Sequence, residues 1–254
     1  MKDENQNSRR SFIKRISATG IASIGLSDFS FASKEKLNKK DNATILFQGD
    51  SITDGNRSRN NDWNHVMGHG YAYLISSRMW FDNPERHFHF FNRGISGNKI
   101  EDLADRWQSD TLDVKPDVLS ILIGVNDVDS AVNSAGLVSP KQYENGYRSL
   151  LKQTKEQILG IEIVICEPFI LPVGRVKNNW ERWSAEIKIK QASAEKLAAE
   201  FNAIYVPLQD EFEQAVSKAP AEYWIWDGIH PMPAGHELIA RKWISIVKKK
   251  SSYI

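Results

Sequence analysis

A single cysteine, Cys166, in 254 residues leaves no partner for an intramolecular disulfide, so burial of apolar surface must hold the fold together. That cysteine lies in the apolar run Ile163-Val164-Ile165-Cys166 and reads as a small buried hydrophobe rather than a reactive thiol. Net charge is equally scarce. Basic and acidic residues nearly cancel to +1, which argues against bulk attraction to nucleic acid or to anionic membranes. The three lysines 248–250 read as a solvated tail. No apolar run is long enough to span a bilayer stably, and no internal repeat or change of composition divides the chain. What is present is ordinary for a globular protein: 41% hydrophobic and 26% charged residues, enough for one sizeable domain.

The first 32 residues read as an address. Ser8-Arg9-Arg10-Ser11-Phe12-Ile13-Lys14 resembles the twin-arginine export signature, and a weakly apolar stretch from Ile16 to Leu26 follows. Ser30-Phe31-Ala32 has the small-x-small pattern of a cleavage site. The expectation is an exported protein, periplasmic or extracellular, handled by the twin-arginine machinery. Residues 33–43, polar and lysine-rich, read as a linker, and residues 44–250 as the domain.

Short β-rich runs punctuate that domain at residues 44–48, 87–91, 118–123, 161–166 and 203–206, each four to six residues long and most of them ending at turn formers. Helix patterns separate them at 71–80, 100–107, 140–159, 180–201 and 234–247. Ser139 can cap the third of these, with Pro140 at its first position. Regular alternation implies a parallel sheet covered on both faces, and such sheets bind ligands at the carboxyl ends of their strands.

Four of those ends carry chemistry. Gly49-Asp50-Ser51 follows the first strand, so the serine sits on a strand-to-helix turn. Asn92-Arg93-Gly94-Ile95-Ser96-Gly97 follows the second, and Gly124-Val125-Asn126-Asp127 follows the third. Trp226-Asp227-Gly228-Ile229-His230 lies near the C-terminus. Each alone has a bland reading as a turn or a cap. In this order and at these positions they resemble the SGNH (GDSL-like) hydrolase family, over Ile45 to about Val247. The G-x-S-x-G elbow of α/β-hydrolases and the G-x-G-x-x-G loop of nucleotide binders do not fit the serine block.

The resemblance implies a three-layer α/β/α sandwich, flavodoxin-like, with a five-stranded parallel sheet in the order 2-1-3-4-5. It implies a serine esterase with Ser51 as nucleophile, His230 as base and Asp227 as the group that orients it. The oxyanion hole it implies consists of the Ser51 and Gly97 backbone N–H groups and the Asn126 side-chain amide, with Gly94 as the alternative glycine. No metal or cofactor is called for. Asp50 is expected to order the turn, and Asp227 could also cap the following helix. His65 and His69 are spaced i, i+4, but the surrounding glycines and the want of a third ligand argue against metal. His87 and His89 are expected on one side of the second strand, and His236 in the last helix.

Trp224 and Trp226, beside Asp227, are candidate surfaces for a sugar ring. With no long apolar lid, O-acetyl groups on a carbohydrate are the expected ester. A lysophospholipase, thioesterase or general short-chain esterase is the alternative. A non-catalytic sugar-binding protein on the same fold is a further one. Oligomeric state and surface attachment are not readable from the sequence.

Overall fold

The computed structural model describes residues 41–60, 62, 64–133 and 140–254. The export segment, most of the linker and the Ser139 cap lie outside these residues. Five strands form one parallel sheet: β1 (Thr44–Gly49), β2 (His89–Asn92), β3 (Val118–Leu122), β4 (Glu162–Cys166) and β5 (Ile204–Val206). Their order is β2-β1-β3-β4-β5. The register sets Phe47 beside Asn92 and Gly49 beside Leu122, so the carboxyl ends of β1, β2 and β3 lie next to one another.

Side chains alternate across the sheet, as the two-residue strand period requires. Ile45 and Phe47 enter one apolar cluster with α2 (Tyr71–Asp82) and α10 (Pro233–Lys250). Leu46, Leu119 and Ile121 enter a second, with α3 (Ile100–Asp105), α5 (Pro140–Gln157) and the C-terminal half of α7 (Trp180–Glu200). Two helical layers around one sheet give the α/β/α sandwich. Each fully buried Leu, Ile or Phe contributes roughly 1.5–3 kcal/mol of transfer free energy. The two indoles driven deepest keep their N–H groups satisfied: Trp243 donates to Ser120 Oγ and Trp107 to Thr154 Oγ1, each at 3.0 Å.

Several local expectations are corrected. His87 is not in the strand: it follows the 3₁₀ turn Pro84–Arg86 in a left-handed conformation, φ +48°, and β2 starts at His89. Lys248, Lys249 and Lys250 are the last turn of α10 rather than a tail. The chain beyond them packs on the domain, with Ser251 and Ser252 hydrogen-bonded to Glu162 and Ile254 buried. At the other end, Ala43 is already buried and its carbonyl accepts the His89 N–H at 3.0 Å. The short helices α1 (Ser51–Asp54), α4 (Val125–Asn133), α6 (Gly174–Lys177), α8 (Gln209–Ala215) and α9 (Ala221–Trp224) complete the fold. Among the described residues no helix is long and apolar enough to cross a membrane.

Candidate active site

The strand-to-helix turn after β1 presents Ser51 as the first residue of α1. Asp50 caps that helix, its carboxylate accepting the Ile52 N–H at 3.0 Å. Burial pushes the Asp50 carboxyl up to about 7, against the Ile52 hydrogen bond and the nearby His230, which pull it down. The Ser51 N–H donates to no group among the described residues and remains available at the helix start.

The loop after β2 is bound to this turn. Asn92 Nδ2 donates to Thr53 O at 2.7 Å and to Met67 O at 3.0 Å, while Asn92 Oδ1 accepts the Gly94 N–H at 2.9 Å. Gly94 is therefore a spacer. A Cβ there would lie 2.3 Å from Asp54 N, and its own N–H is occupied. Gly97 differs on both counts. Its φ of +84° suits glycine, a Cβ would meet nothing within 4 Å, and its N–H has no acceptor among the described residues. Of the two glycines, only Gly97 has an N–H without an acceptor among the described residues.

Asn126, in the first turn of α4, donates from Nδ2 to Asn98 O at 3.1 Å, which uses one of its two amide hydrogens. Its neighbour Asp127 accepts the Ile100 N–H at 3.3 Å. The pair holds both sides of the segment following Gly97. Arg106 ties the same region together from below, donating to Gln48 Oε1, Arg93 O and Asn98 Oδ1 at 2.9, 2.7 and 2.8 Å. Asp54 adds a further clamp, accepting from Ser96 N and Oγ at 3.1 Å. Arg106, Asp54 and Asp127 were not singled out from sequence, because nothing local signals contacts that span up to 58 positions.

The Asp227-x-x-His230 turn completes the constellation. Ser51 Oγ lies 2.8 Å from His230 Nε2, and His230 Nδ1 lies 2.8 Å from Asp227 Oδ2. In the tautomer this geometry favours, the hydroxyl donates to Nε2 and Nδ1–H donates to the carboxylate. Asp227 Oδ1 also accepts the backbone N–H groups of Ile229 and His230 at 3.0 and 2.7 Å. Burial raises the Asp227 carboxyl, but these donors outweigh it and hold the pKa at about 2. Asp227 does not cap a helix: α10 begins at Pro233 after Met232. Gly174 packs on the Asp227 backbone, and Arg175 Nε stands 3.4 Å from Asp227 Oδ2.

The two candidate tryptophans part company. Trp226 is 58% exposed and stacks on the His230 ring, centroids 6.1 Å apart. Trp224 packs against the core and donates its indole N–H to Ala219 O at 3.2 Å. Of the other histidines, His65 pairs with Asp62 at 2.6 Å, and His236 accepts the Tyr71 N–H at 3.2 Å. Burial, then the charges of His69 and His230, hold His236 down at about 4, so it stays neutral. A cavity of about 450 Å³ opens at Gly174, Arg175, Trp226, Asp227 and His230. A larger one, about 860 Å³, runs along β2 and includes no residue of the Ser51–His230–Asp227 chain; the smaller is the one that Asp227 and His230 line.

Residues 47–238 match the GDSL-like Lipase/Acylhydrolase family. An acetylxylan esterase of Geobacillus stearothermophilus is 32% identical over 212 residues, spanning 79% of this chain and 91% of the esterase. Among solved structures, a GDSL-like protein of Parabacteroides merdae superposes with a TM-score of 0.80 at 41% identity, covering 84% of this chain and 99% of its own. Axe2, an acetylxylan esterase of G. stearothermophilus solved as a catalytic variant with an aspartate replaced, gives a TM-score of 0.74 at 29% identity over 82% and 95% of the two chains. With the strand-end blocks inside the matched region and the family's sheet beneath them, the chain belongs to the GDSL-like lipase/acylhydrolase family and is a carboxylic ester hydrolase.

Proposed function

We propose that this chain removes O-acetyl groups from a carbohydrate through an acyl-enzyme on Ser51. The observation that carries the reading is the chain of hydrogen bonds from Ser51 through His230 to Asp227, 2.8 Å at each step, beside the exposed indole of Trp226. His230 Nε2 takes the Ser51 proton as Oγ attacks the acetyl carbonyl. Asp227 holds the ring in its tautomer and stabilises the imidazolium. The oxyanion is received by the N–H groups of Ser51 and Gly97 and by the remaining amide hydrogen of Asn126. Collapse expels the sugar hydroxyl with the proton from His230. Water, deprotonated by the same ring, then releases acetate. Every proton and charge in the cycle has a protein group to hold it.

The carbohydrate assignment is supported by Trp226, whose face suits a sugar ring, and by the acetylxylan esterase relative. Catalytic variants of that esterase replace a serine and an aspartate, the residue types assigned here at positions 51 and 227. Export rests on the twin-arginine-like block before Ile16 and the small-x-small site ending at Ala32.

The test is acetate release from acetylated xylan and from p-nitrophenyl esters of two to twelve carbons. Ser51→Ala should lower kcat by about a thousandfold or more, leaving the residual catalysis of a site without its nucleophile. A preference for the longest acyl chains would instead indicate a lipid ester. Undiminished release by Ser51→Ala would refute the mechanism.

A further inference from the structure

The larger cavity borders β2, the outer strand of the sheet. Arg57, Arg59 and Arg93 share its walls with Trp80 and Phe91, two aromatic side chains that remain 36% and 37% exposed. The three cations are unequally neutralised. Arg59 grips Asp54 with both terminal nitrogens, at 2.8 and 2.7 Å. Arg93 comes only within 3.9 Å of Asp110, whose other oxygen already accepts from Arg106 at 2.9 Å. The Arg93 Nε is buried without a hydrogen-bond partner among the described residues. Arg57 donates from Nε to Gly94 O at 2.9 Å, and its terminal nitrogens meet no carboxylate among the described residues.

Arg57 is therefore a half-buried cation with other cations for company. Burial, then the charge of Arg59, with Arg93 adding to it, push its guanidinium down to about 10 against the pull of Asp54 and Asp110. An anion entering the cavity relieves that repulsion. The planar guanidinium favours a carboxylate held by two parallel hydrogen bonds, and the exposed aromatic surface, where the Arg93 guanidinium already stands 5.7 Å from the Phe91 ring centroid, favours a sugar ring. A free phosphate would leave the aromatic faces unused; a neutral sugar would leave the cations unused.

The wall of the groove is hydrogen-bonded to the turn that carries Ser51 and to the loop beside it. Asn92, on its wall, fixes the Gly94 N–H and carries the Thr53 carbonyl, while Arg57 holds the Gly94 carbonyl. Arg59 holds Asp54, the last residue of the helix that Ser51 begins.

We propose that the groove along β2 is a subsite for a uronic-acid carboxylate carried on the acetylated polysaccharide, with Arg57 and Arg93 binding the carboxylate and Trp80 and Phe91 supporting the sugar ring. The proposal rests on the carbohydrate-esterase reading above. It makes acidic branches a specificity determinant rather than an obstacle.

The experiment compares kcat/KM for acetate release from acetylated xylo-oligosaccharides of equal length, unbranched, bearing a uronic-acid branch, or bearing its methyl ester. The acidic substrate should be favoured about tenfold, through KM, as one charge-assisted bidentate contact allows. Methyl esterification should erase the preference. Arg57→Met and Arg93→Gln should each reduce the ratio of acidic to unbranched rates, a readout in which any general loss of activity cancels. Equal rates on all three substrates by an active enzyme, or a preference that survives esterification or both substitutions, would overturn the subsite and leave the esterase reading intact. Failure of the wild-type chain to release acetate from any carbohydrate, while p-nitrophenyl acetate is still turned over, would overturn the carbohydrate reading and the subsite with it.

Discussion

Asn126 and Asp127 are adjacent in sequence and do different work. The Asn126 amide spends one hydrogen on Asn98 O and keeps a second, which the mechanism proposed above assigns to the developing negative charge. Asn126→Ala should lower kcat on an acetyl ester by about 10²–10³-fold with KM changed little, because the lost donor acts mainly in the transition state. Steady-state kinetics separate the two parameters, and a loss confined to KM would contradict the assignment. Asp127 is buried, with Oδ2 unpartnered among the described residues, and burial pushes its carboxyl from the ordinary 3.8 up to about 7, with the Ile100 hydrogen bond and Lys190 opposing. A carboxyl raised by folding favours the native state below about pH 4, and that contribution is lost as pH climbs towards 7. Asp127→Asn, which keeps an acceptor for Ile100 and does not ionise, should therefore flatten the fall in urea midpoint between pH 4 and pH 7. An unchanged slope would show that Asp127 does not titrate there. Asn126 stood out in the G-x-N-D block, whereas the burial of Asp127 and the opposing charge of Lys190, 63 positions away on α7, are announced by no local pattern. The same limit applies to Trp224 and Trp226. Two indoles flanking Ile225 look equivalent on paper, and only the local backbone turns one to the core and the other to His230.

At the level of elements, the segment between β2 and α3 carries the glycine proposed for the oxyanion hole. Its two glycines answer different needs. Gly94 lets the loop pass against α1, and Gly97 takes a left-handed φ in open space. Gly94→Ala should destabilise the fold by about 1–3 kcal/mol through forced displacement of the Asp54 backbone. Gly97→Ala should cost about 1–2 kcal/mol, from conformation alone. Denaturant midpoints for the two variants test the ranking, and a Gly94→Ala protein as stable as the wild type would mean the contact with α1 is looser than described. The regular strands, the four long helices α2, α5, α7 and α10 and the shorter α3 were readable from apolar periodicity and turn formers. The start of β2 was not, because His87 and Phe88 look like strand residues but follow a 3₁₀ turn that ends in left-handed backbone. Helix α4 also escaped notice: its buried positions Val125, Val128 and Val132 have helical spacing, but β-branched residues directly after a strand weaken that signal.

Across the whole molecule, function depends on the sheet order β2-β1-β3-β4-β5. With β1 between β2 and β3, the serine turn, the glycine loop and the asparagine turn become neighbours, and the packing of α10 against α2 and the sheet places the preceding Asp227–His230 turn above them. Export, proposed from the twin-arginine-like block, has its own test. In a bacterium with a twin-arginine pathway, replacing Arg9 and Arg10 together by lysine should leave the protein in the cytoplasm, while the unaltered chain appears outside it. Cell fractionation decides this, and equal export of both would dismiss the address. The sequence by itself determined the alternation of strand and helix, the kinds of group at four strand ends and the fold those imply, because periodicity and turn chemistry are local properties. Tertiary structure alone decided the 2.8 Å contacts that link Ser51, His230 and Asp227, the occupied N–H of Gly94 beside the unengaged one of Gly97, the neutrality of His236, the side to which each tryptophan turns and the cationic groove along β2. Each of these depends on atoms far apart in the chain coming within contact or being shut away from water, and distance and desolvation exist only once the chain has folded.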